Sequence, residues 1–384
     1  MLSRPDVAER GRLDLDHPLC DRRDRGSYTG MVTARVTDWG LAVLVAALVA
    51  SGALTLFAGS PGDAWVFAAH DVLGIAILLL LVVKLRRVWV RMVRPARWDR
   101  RTIVGVLGSL LATAALVSGL LWADGVTPDV AGYSLLSVHD ALGVALVVGV
   151  VAHMVARAKP LRGRDLAHRR QFLALGAMAA VSLVAWRTER PFQALLGLRG
   201  ARRRFTGSYE AGSFSGNAFP ATSWVADNPR PIDLAAYRLR IDGLAAHRLV
   251  IALADLPIVD ELVATLDCTG GFYSTQRWRG VRLSRMLELA GAQRVARHVS
   301  VASVTGYRWS FAIDDARELL LATQVGDQPL SHEHGAPIRL VVPWARGFQW
   351  VKWVQRIELL DHPDYGAPAS TVWSSLTAAG SGGG

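Results

Sequence analysis

Cysteine is almost absent from this chain of 384 residues, which has two, Cys20 and Cys268. That excludes a disulfide-rich secreted scaffold, a cysteine zinc finger and a cysteine-ligated iron–sulfur cluster. Lysine is also scarce: of 43 basic residues only Lys84, Lys159 and Lys352 are lysine, a bias that reads as genome composition. Charged residues make up 20% and hydrophobic ones 51%, with a mean hydropathy of +0.26. Average soluble domains carry about 25% charge, so disorder is excluded as the main state and a membrane portion is expected. The length fits roughly two or three domains.

Apolar runs at about 37–58, 65–83, 102–122, 134–156 and 171–187 approach the ~20 residues that cross a bilayer core. The connecting charge is sorted. Residues 84–101 carry eight basic side chains against Asp99, and residues 157–170 carry six against Asp165. The alternate loops hold Asp63, Asp124 and Asp129 and no Lys or Arg. The positive-inside rule then puts residues 1–36, 84–101 and 157–170 in the cytoplasm and everything after about 188 outside. The net charge of +11 is thus a topology signal and does not indicate a nucleic-acid partner.

The membrane half repeats itself. His70-Asp71-Val72-Leu73-Gly74 recurs 69 residues later as His139-Asp140-Ala141-Leu142-Gly143, and Ala46–Gly52 resembles Ala114–Gly119. Two helix pairs of the same polarity predict a four-helix bundle about a pseudo-two-fold along the membrane normal. His70 and His139 then lie at equal depth near the outer end. Facing imidazoles in a bundle suit haem iron as axial ligands, or else cap their own helices. Over about 150 residues this half resembles the membrane haem-b proteins of the cytochrome b561 and ferric-reductase-like type, which implies haem b. His153 lies 14 residues beyond His139, about 21 Å deeper on the same helix face. It is a candidate ligand of a second haem, but its repeat partner is Lys84. The alternatives are a polar site at the inner face, for example for a quinone, and a snorkelling lysine beside a hydrogen-bonded histidine.

The fifth run opens His168-Arg169-Arg170-Gln171-Phe172-Leu173, which resembles a twin-arginine export signal. Because that route moves folded proteins, it implies a cofactor in the outer domain. The alternative is that Arg169 and Arg170 are ordinary positive-inside residues.

Beyond a Gly/Ser/Arg-rich linker at 188–230, short alternating segments predict strands at Tyr237–Ile241, Val299–Val304, Ile338–Val342 and Val351–Leu359. Helices are predicted at Ser284–Ala290 and Asp315–Ala322. Motifs follow in order: Cys268-Thr269-Gly270-Gly271, Trp278-Arg279-Gly280-Val281, His334-Gly335-Ala336-Pro337-Ile338-Arg339 and Val351-Lys352-Trp353. Over about 217–362 they resemble the molybdopterin-binding domain of the sulfite oxidase superfamily, in particular the branch of bacterial methionine-sulfoxide reductase catalytic subunits. The resemblance implies that the Cys268 thiolate binds molybdenum, with Thr269 and Gly270 close to the cofactor. It implies that His334 and Arg339 hold the pterin and its phosphate, and that Lys352 contacts the phosphate beside Gln349, Trp350 and Val351. Asn217, Phe219 and Thr222 match a segment crossing the pterin. Tyr307 and Arg308 match the substrate side, where Arg277 and Arg346 would complete an anion pocket; surface arginines are the alternative. The C-terminal dimerisation domain of sulfite oxidases is missing after Tyr365, which puts sulfite in doubt.

The expected fold is thus an all-α transmembrane bundle, four helices plus a fifth tethering helix, followed by an α+β sulfite-oxidase-like domain. The expected divisions are a cytoplasmic tail 1–36, a haem-b domain 37–158, a fifth helix 168–187, a linker 188–230, a molybdopterin domain 231–366 and a tail 367–384. The expected function is extracytoplasmic oxygen-atom transfer at the bacterial plasma membrane. Its cofactors are molybdenum–molybdopterin and one or two haems b. Its partners are membrane lipid, a quinone or respiratory redox partner, and a small oxo-donor or oxo-acceptor. The competing reading is a non-catalytic molybdopterin-fold module on a membrane electron carrier.

Overall fold

The computed structural model describes residues 32–130, 133–222, 227 and 229–371. Cys20, most of the N-terminal tail, Ser223, Trp224 and the last residues of the C-terminal tail lie outside the described residues.

Four long helices come first: α1 (Ala34–Thr55), α2 (Ala64–Met92), α3 (Arg100–Ala123) and α4 (Leu135–Arg157). A short hairpin, β1 (Asp129–Val130) and β2 (Tyr133–Ser134), leads into α4, and α5 (Gly163–Leu166) precedes α6 (Arg169–Leu195). Polar caps start three of the long helices. Thr33 Oγ1 accepts from Val36 N, Asp99 Oδ1 from Thr102 N at 2.7 Å and Ser134 Oγ from Ser137 N at 3.2 Å. Buried hydroxyls inside the helices return to their own backbone, as Ser118 does to Ala115 O at 2.9 Å and Ser182 to Met178 O at 2.8 Å. The helices α1 and α2 pack as one hairpin and α3 and α4 as another. Helix α1 also meets α4, α2 meets α3, and α6 lies against α2. Among the described residues, five helices are long and apolar enough to cross a membrane. The 22 residues of α1 span about 33 Å, enough for a hydrocarbon core.

Helix α6 runs to Leu195, through Pro191 and past the predicted end at 187. Its last turns are held by polar anchors rather than by an apolar face. Gln193 Nε2 donates to Asp124 Oδ1 at 2.8 Å, and Glu189 pairs with Arg203 at 2.9 Å. Hydropathy does not register such contacts.

The second half is a mixed sheet domain. One sheet runs β11 (Gln328–Pro329), β10 (Leu320–Val325), β7 (Phe272–Arg282) and β3 (Tyr209–Glu210), with β12 (Arg339–Val341) on β10 and β6 (Asp260–Asp267) on β7. The other runs β5 (Leu249–Ala252), β4 (Arg238–Gly243), β13 (Val354–Leu360), β8 (His298–Ser303) and β9 (Arg308–Ala312). The pair β4–β13 is parallel and its neighbours are antiparallel. Helix α7 (Leu283–Leu289) falls where one was predicted. The helix predicted over Asp315–Ala322 is corrected. Only α8 (Ile313–Ala316) is helical, and Leu320–Val325 is an inner strand. Leu319, Leu320, Leu321 and Ala322 are all at 0% exposure, so both sheet faces are covered and the run has no period of two. The predicted linker also contributes to the sheet, because Tyr209–Glu210 pairs in parallel with β7.

The two halves are in contact. Trp122, at the end of α3, donates from Nε1 to Gly207 O at 2.9 Å, and Tyr209 Oη donates to Trp122 O at 2.6 Å. The Trp122 ring lies so close to Gly271 that a Cβ there would fall 2.1 Å from a ring carbon. Gly271 also has φ +95°, so two independent reasons require glycine. Phe67 of α2 meets Phe205 edge to face at 5.8 Å, and Phe57 meets Phe348 at 6.0 Å.

Candidate active site

Cys268 occupies the tight turn between β6 and β7. Its N–H donates to Phe272 O at 2.8 Å, and its carbonyl accepts from Gly271 N at 3.0 Å. The thiol is half-buried; Sγ accepts from Gly270 N at 3.3 Å and sits 3.3 Å from Thr222 Oγ1. Beneath the turn lies Asp267, 1% exposed, whose carboxylate accepts from Thr206 at 2.7 Å, Ser208 at 2.8 Å and Arg346 Nη1 at 2.7 Å. Arg204 approaches to 3.3 Å. The close passage of Gly347 over Cys268 Cα leaves 3.1 Å for any added Cβ.

Cations gather at this thiol. Arg339 is 3% exposed, donates from Nη1 to His334 O at 3.1 Å, and lies against both the Trp278 and Trp350 rings, 5.7 Å from each. Its buried Nε has no hydrogen-bond partner. Lys352 Nζ donates to the carbonyls of Thr222 at 2.7 Å and Glu333 at 2.6 Å, and its neighbour Trp353 has φ +52°. Burial pulls the Arg339 guanidinium down to about 10, against attraction by Cys268. Burial, with repulsion from Arg339, pulls the Lys352 ammonium down to about 7, again opposed by Cys268. Burial likewise lowers Arg346, opposed by Asp267 and Cys268.

A buried cation without a counter-anion is costly. Arg339 and Lys352 bond only to carbonyls, and Arg339 keeps a donor unspent. This donor set fits an anionic group that brings a phosphate to the cations and a metal to the thiolate. The fit has a pH consequence. An incoming phosphate restores the charged form of Lys352, so binding takes up a proton above pH 7. Affinity is expected to fall about tenfold per pH unit above about 7 and to be level below it. Cofactor retained by the holoenzyme after incubation across this range, measured as molybdenum, checks it; Lys352→Arg should flatten the dependence.

The other expected residues are distributed as follows. His334 is 2% exposed and both ring nitrogens are engaged, Nε2 with Phe219 O at 3.0 Å and Nδ1 with Ser331 Oγ at 2.7 Å. Burial lowers it to about 4, so the ring is neutral. Phe219 packs between His334 and Trp278, and Asn217 accepts from Ser331 N and donates to Pro329 O. Thr269 and Gly270 lie in the Cys268 turn. Gln349 Oε1 accepts from Arg346 N, Trp350 Nε1 donates to Ala345 O, and Val351 is fully buried. Tyr307 Oη donates to Phe348 O, and burial raises its pKa. Arg308 turns instead to Asp364, with Nε 2.6 Å from Oδ2. Arg277 pairs with Glu261 at 3.4 Å. Asp267, Thr206 and Ser208 were not singled out by the sequence. Asp267 is the immediate neighbour of Cys268, the one signal that pointed to it.

In the helical half, the His70 and His139 ring centroids are 6.3 Å apart with planes at 83°. His139 Nδ1 donates to Ala115 O at 2.9 Å and lies 3.3 Å from Ser118 Oγ; His70 Nδ1 is 2.9 Å from Ser51 Oγ. With Nδ1 engaged in this way, Nε2 is left as the lone-pair nitrogen of each ring, the one able to take a metal. Two imidazole–metal bonds of about 2.0–2.1 Å, plus about 1.1 Å from each nitrogen to its ring centre, span about 6.3 Å. The Asp of each repeat faces the sheet domain. Asp71 lies 3.9 Å from Arg203, and the charge of Asp140 is felt at Arg346. His153 Nε2 lies 3.1 Å from Lys84 Nζ.

The thiol, the unspent guanidinium and the glycine turn all fall in a stretch similar to molybdopterin-binding oxidoreductase domains. Residues 226–367 match the family described as oxidoreductase molybdopterin binding domain. The chain is 30% identical to the protein-methionine-sulfoxide reductase catalytic subunit MsrP of Gluconobacter oxydans, covering 44% of this chain and 57% of that one. It is 32% identical to mitochondrial sulfite oxidase of Homo sapiens, covering 35% of this chain and 31% of that one. It is 28% identical to the uncharacterized oxidoreductase YuiH of Bacillus subtilis, covering 37% and 75%. The chain therefore carries an oxidoreductase domain related to sulfite oxidase and MsrP, and spans about half or less of the first two relatives.

Proposed function

We propose that this chain is a membrane-bound molybdenum oxidoreductase that transfers an oxygen atom on the extracytoplasmic side, with electrons exchanged through haem b held by His70 and His139. The observation that carries the reading is the pair of cations beside the Cys268 thiol, Arg339 and Lys352, whose hydrogen bonds go to backbone carbonyls. Molybdenum supplies two-electron oxygen-atom chemistry, and haem b supplies one-electron exchange. Cys268 ligates the metal; Arg339 and Lys352 hold the phosphate; neutral His334 fixes Phe219 against Trp278; Asp267 and Arg346 hold the turn rigid.

A neutral oxo-donor such as a sulfoxide is favoured over an oxyanion such as sulfite. The arginines expected to form an anion pocket are each neutralised by a carboxylate: Arg277 by Glu261, Arg308 by Asp364 and Arg346 by Asp267. The twin arginines Arg169 and Arg170, both exposed at the start of α6, fit export after cofactor insertion.

Two measurements test this. Methionine sulfoxide added to the dithionite-reduced protein, after excess reductant is removed, should reoxidise the haem; no reoxidation by sulfoxide, together with reduction of the oxidised protein's haem by sulfite, would reverse the direction. His70→Met and His139→Met should each lose the bis-histidine haem spectrum while molybdenum is retained. An unchanged bis-histidine haem spectrum in both variants would remove the haem assignment.

A further inference from the structure

We infer that the inner end of the helix bundle binds the head group of a quinone or quinol, between Lys84 and His153. This rests on reading α1–α4 as membrane helices with His70 and His139 at their outer end. The internal repeat shows what was replaced. At the outer level a glycine faces each histidine: a Cβ at Gly52 would lie 3.5 Å from His70 Cε1, and one at Gly119 2.9 Å from His139 Cε1. About four turns further in, Gly105 faces His153 in the same way, at 3.5 Å. The repeat relates position 105 to 38 and position 153 to 84, so symmetry calls for glycine and histidine there. The chain has Asp38 and Lys84.

These two substitutions compensate each other. Lys84 Nζ lies 3.0 Å from the Asp38 carboxylate and 3.1 Å from His153 Nε2. The lysine thus stands where a second axial ligand would be, and its charge is balanced. A cavity of about 60 Å³ remains beside it, walled by Leu41, Ala42, Gly105, Gly108, Ala112 and Gly149. That volume holds a few waters, which the oxygen-bearing edge of a ring would displace. Apart from Asp38, Lys84 and His153 the walls are apolar except for Ser109, whose hydroxyl is returned to Gly105 O at 2.8 Å. A head group with an oxygen at its edge and an apolar tail matches that division. Lys84, with a third ammonium hydrogen beyond those facing Asp38 and His153, donates to a ring carbonyl, and Asp38, its side chain 29% exposed, leads to inner water. Ionisable groups at this depth are costly to keep without a role.

The test is calorimetric titration of the full chain in nanodiscs with a short-chain ubiquinone analogue, with empty nanodiscs as the partition background. Wild type should bind saturably at one per chain. Lys84→Met and His153→Leu should bind at least tenfold more weakly, with the outer haem spectrum unchanged as proof of folding. Asp38→Gly combined with Lys84→His should lose the quinone and gain a second haem. Binding no greater than the partition background, or wild-type affinity in these variants, would overturn the inference. His70→Met should keep the quinone, so failure of the haem assignment and failure of this site are read separately.

Discussion

Cys268→Ala is expected to abolish oxygen-atom transfer while leaving the protein folded and its haem spectrum intact. The side chain contributes little to the fold: Sγ makes only long contacts, 3.3 Å each, to Gly270 N and Thr222 Oγ1. It is the only cysteine among the described residues. Even the outer partners of metal ligands are worth about 10–100-fold, and a direct ligand should exceed that. Turnover should therefore fall by more than about a hundredfold, with molybdenum assayed in parallel to separate loss of metal from loss of catalysis. Full activity in Cys268→Ala would remove the molybdenum assignment.

Asp267→Ala is expected to be the most destabilising single change at the site. The carboxylate is 1% exposed and is the acceptor shared by Arg346, Thr206 and Ser208, with Arg204 close by. Removing it strands Arg346, itself 3% exposed, as an uncompensated buried charge. Breaking a buried pair from one side costs about 3–5 kcal/mol. Urea unfolding followed by the tryptophans of the sheet domain reads the loss. The double variant Asp267→Ala/Arg346→Met should recover part of it, because the stranded charge is gone. A single variant within about 0.5 kcal/mol of wild type, the range of ordinary surface changes, would show that the network carries no stability.

The helical half was readable because its chemistry is local. Apolar runs, sorted loop charges and a repeated His-Asp-x-Leu-Gly all lie within a helix or one loop of it. The five long apolar helices among the described residues and the facing of His70 and His139 follow from those patterns, and the helix ends do not. The last turns of α6 are held by Gln193 and Glu189, which reach Asp124 and Arg203 and leave no hydrophobic period. The strand Leu320–Val325 was misread as helix because an inner strand buried on both faces is a plain apolar run.

At the site, Cys268, Gly271, Arg339 and Lys352 stood out through short motifs in a fixed order. The Asp267 network did not, since its partners lie 59, 61 and 79 residues away. The fate of Arg308 was equally hidden. An arginine in a Thr-Gly-Tyr-Arg turn looks the same whether it faces a substrate or, as here, Asp364. The replacement of one histidine by Lys84 was visible as a broken repeat, but its pairing with Asp38 needed the packing of α1 against α2.

The most direct measurement is the molybdenum and haem content of the purified full chain, by elemental analysis and the pyridine haemochrome spectrum. One molybdenum and one haem b per chain are predicted, with His70 and His139 as the haem ligands and Lys84 closing the inner position. Haem without molybdenum, from a host that makes the cofactor, would contradict the assignment and leave a non-catalytic module on an electron carrier. Molybdenum without haem would sever the proposed path through the bundle.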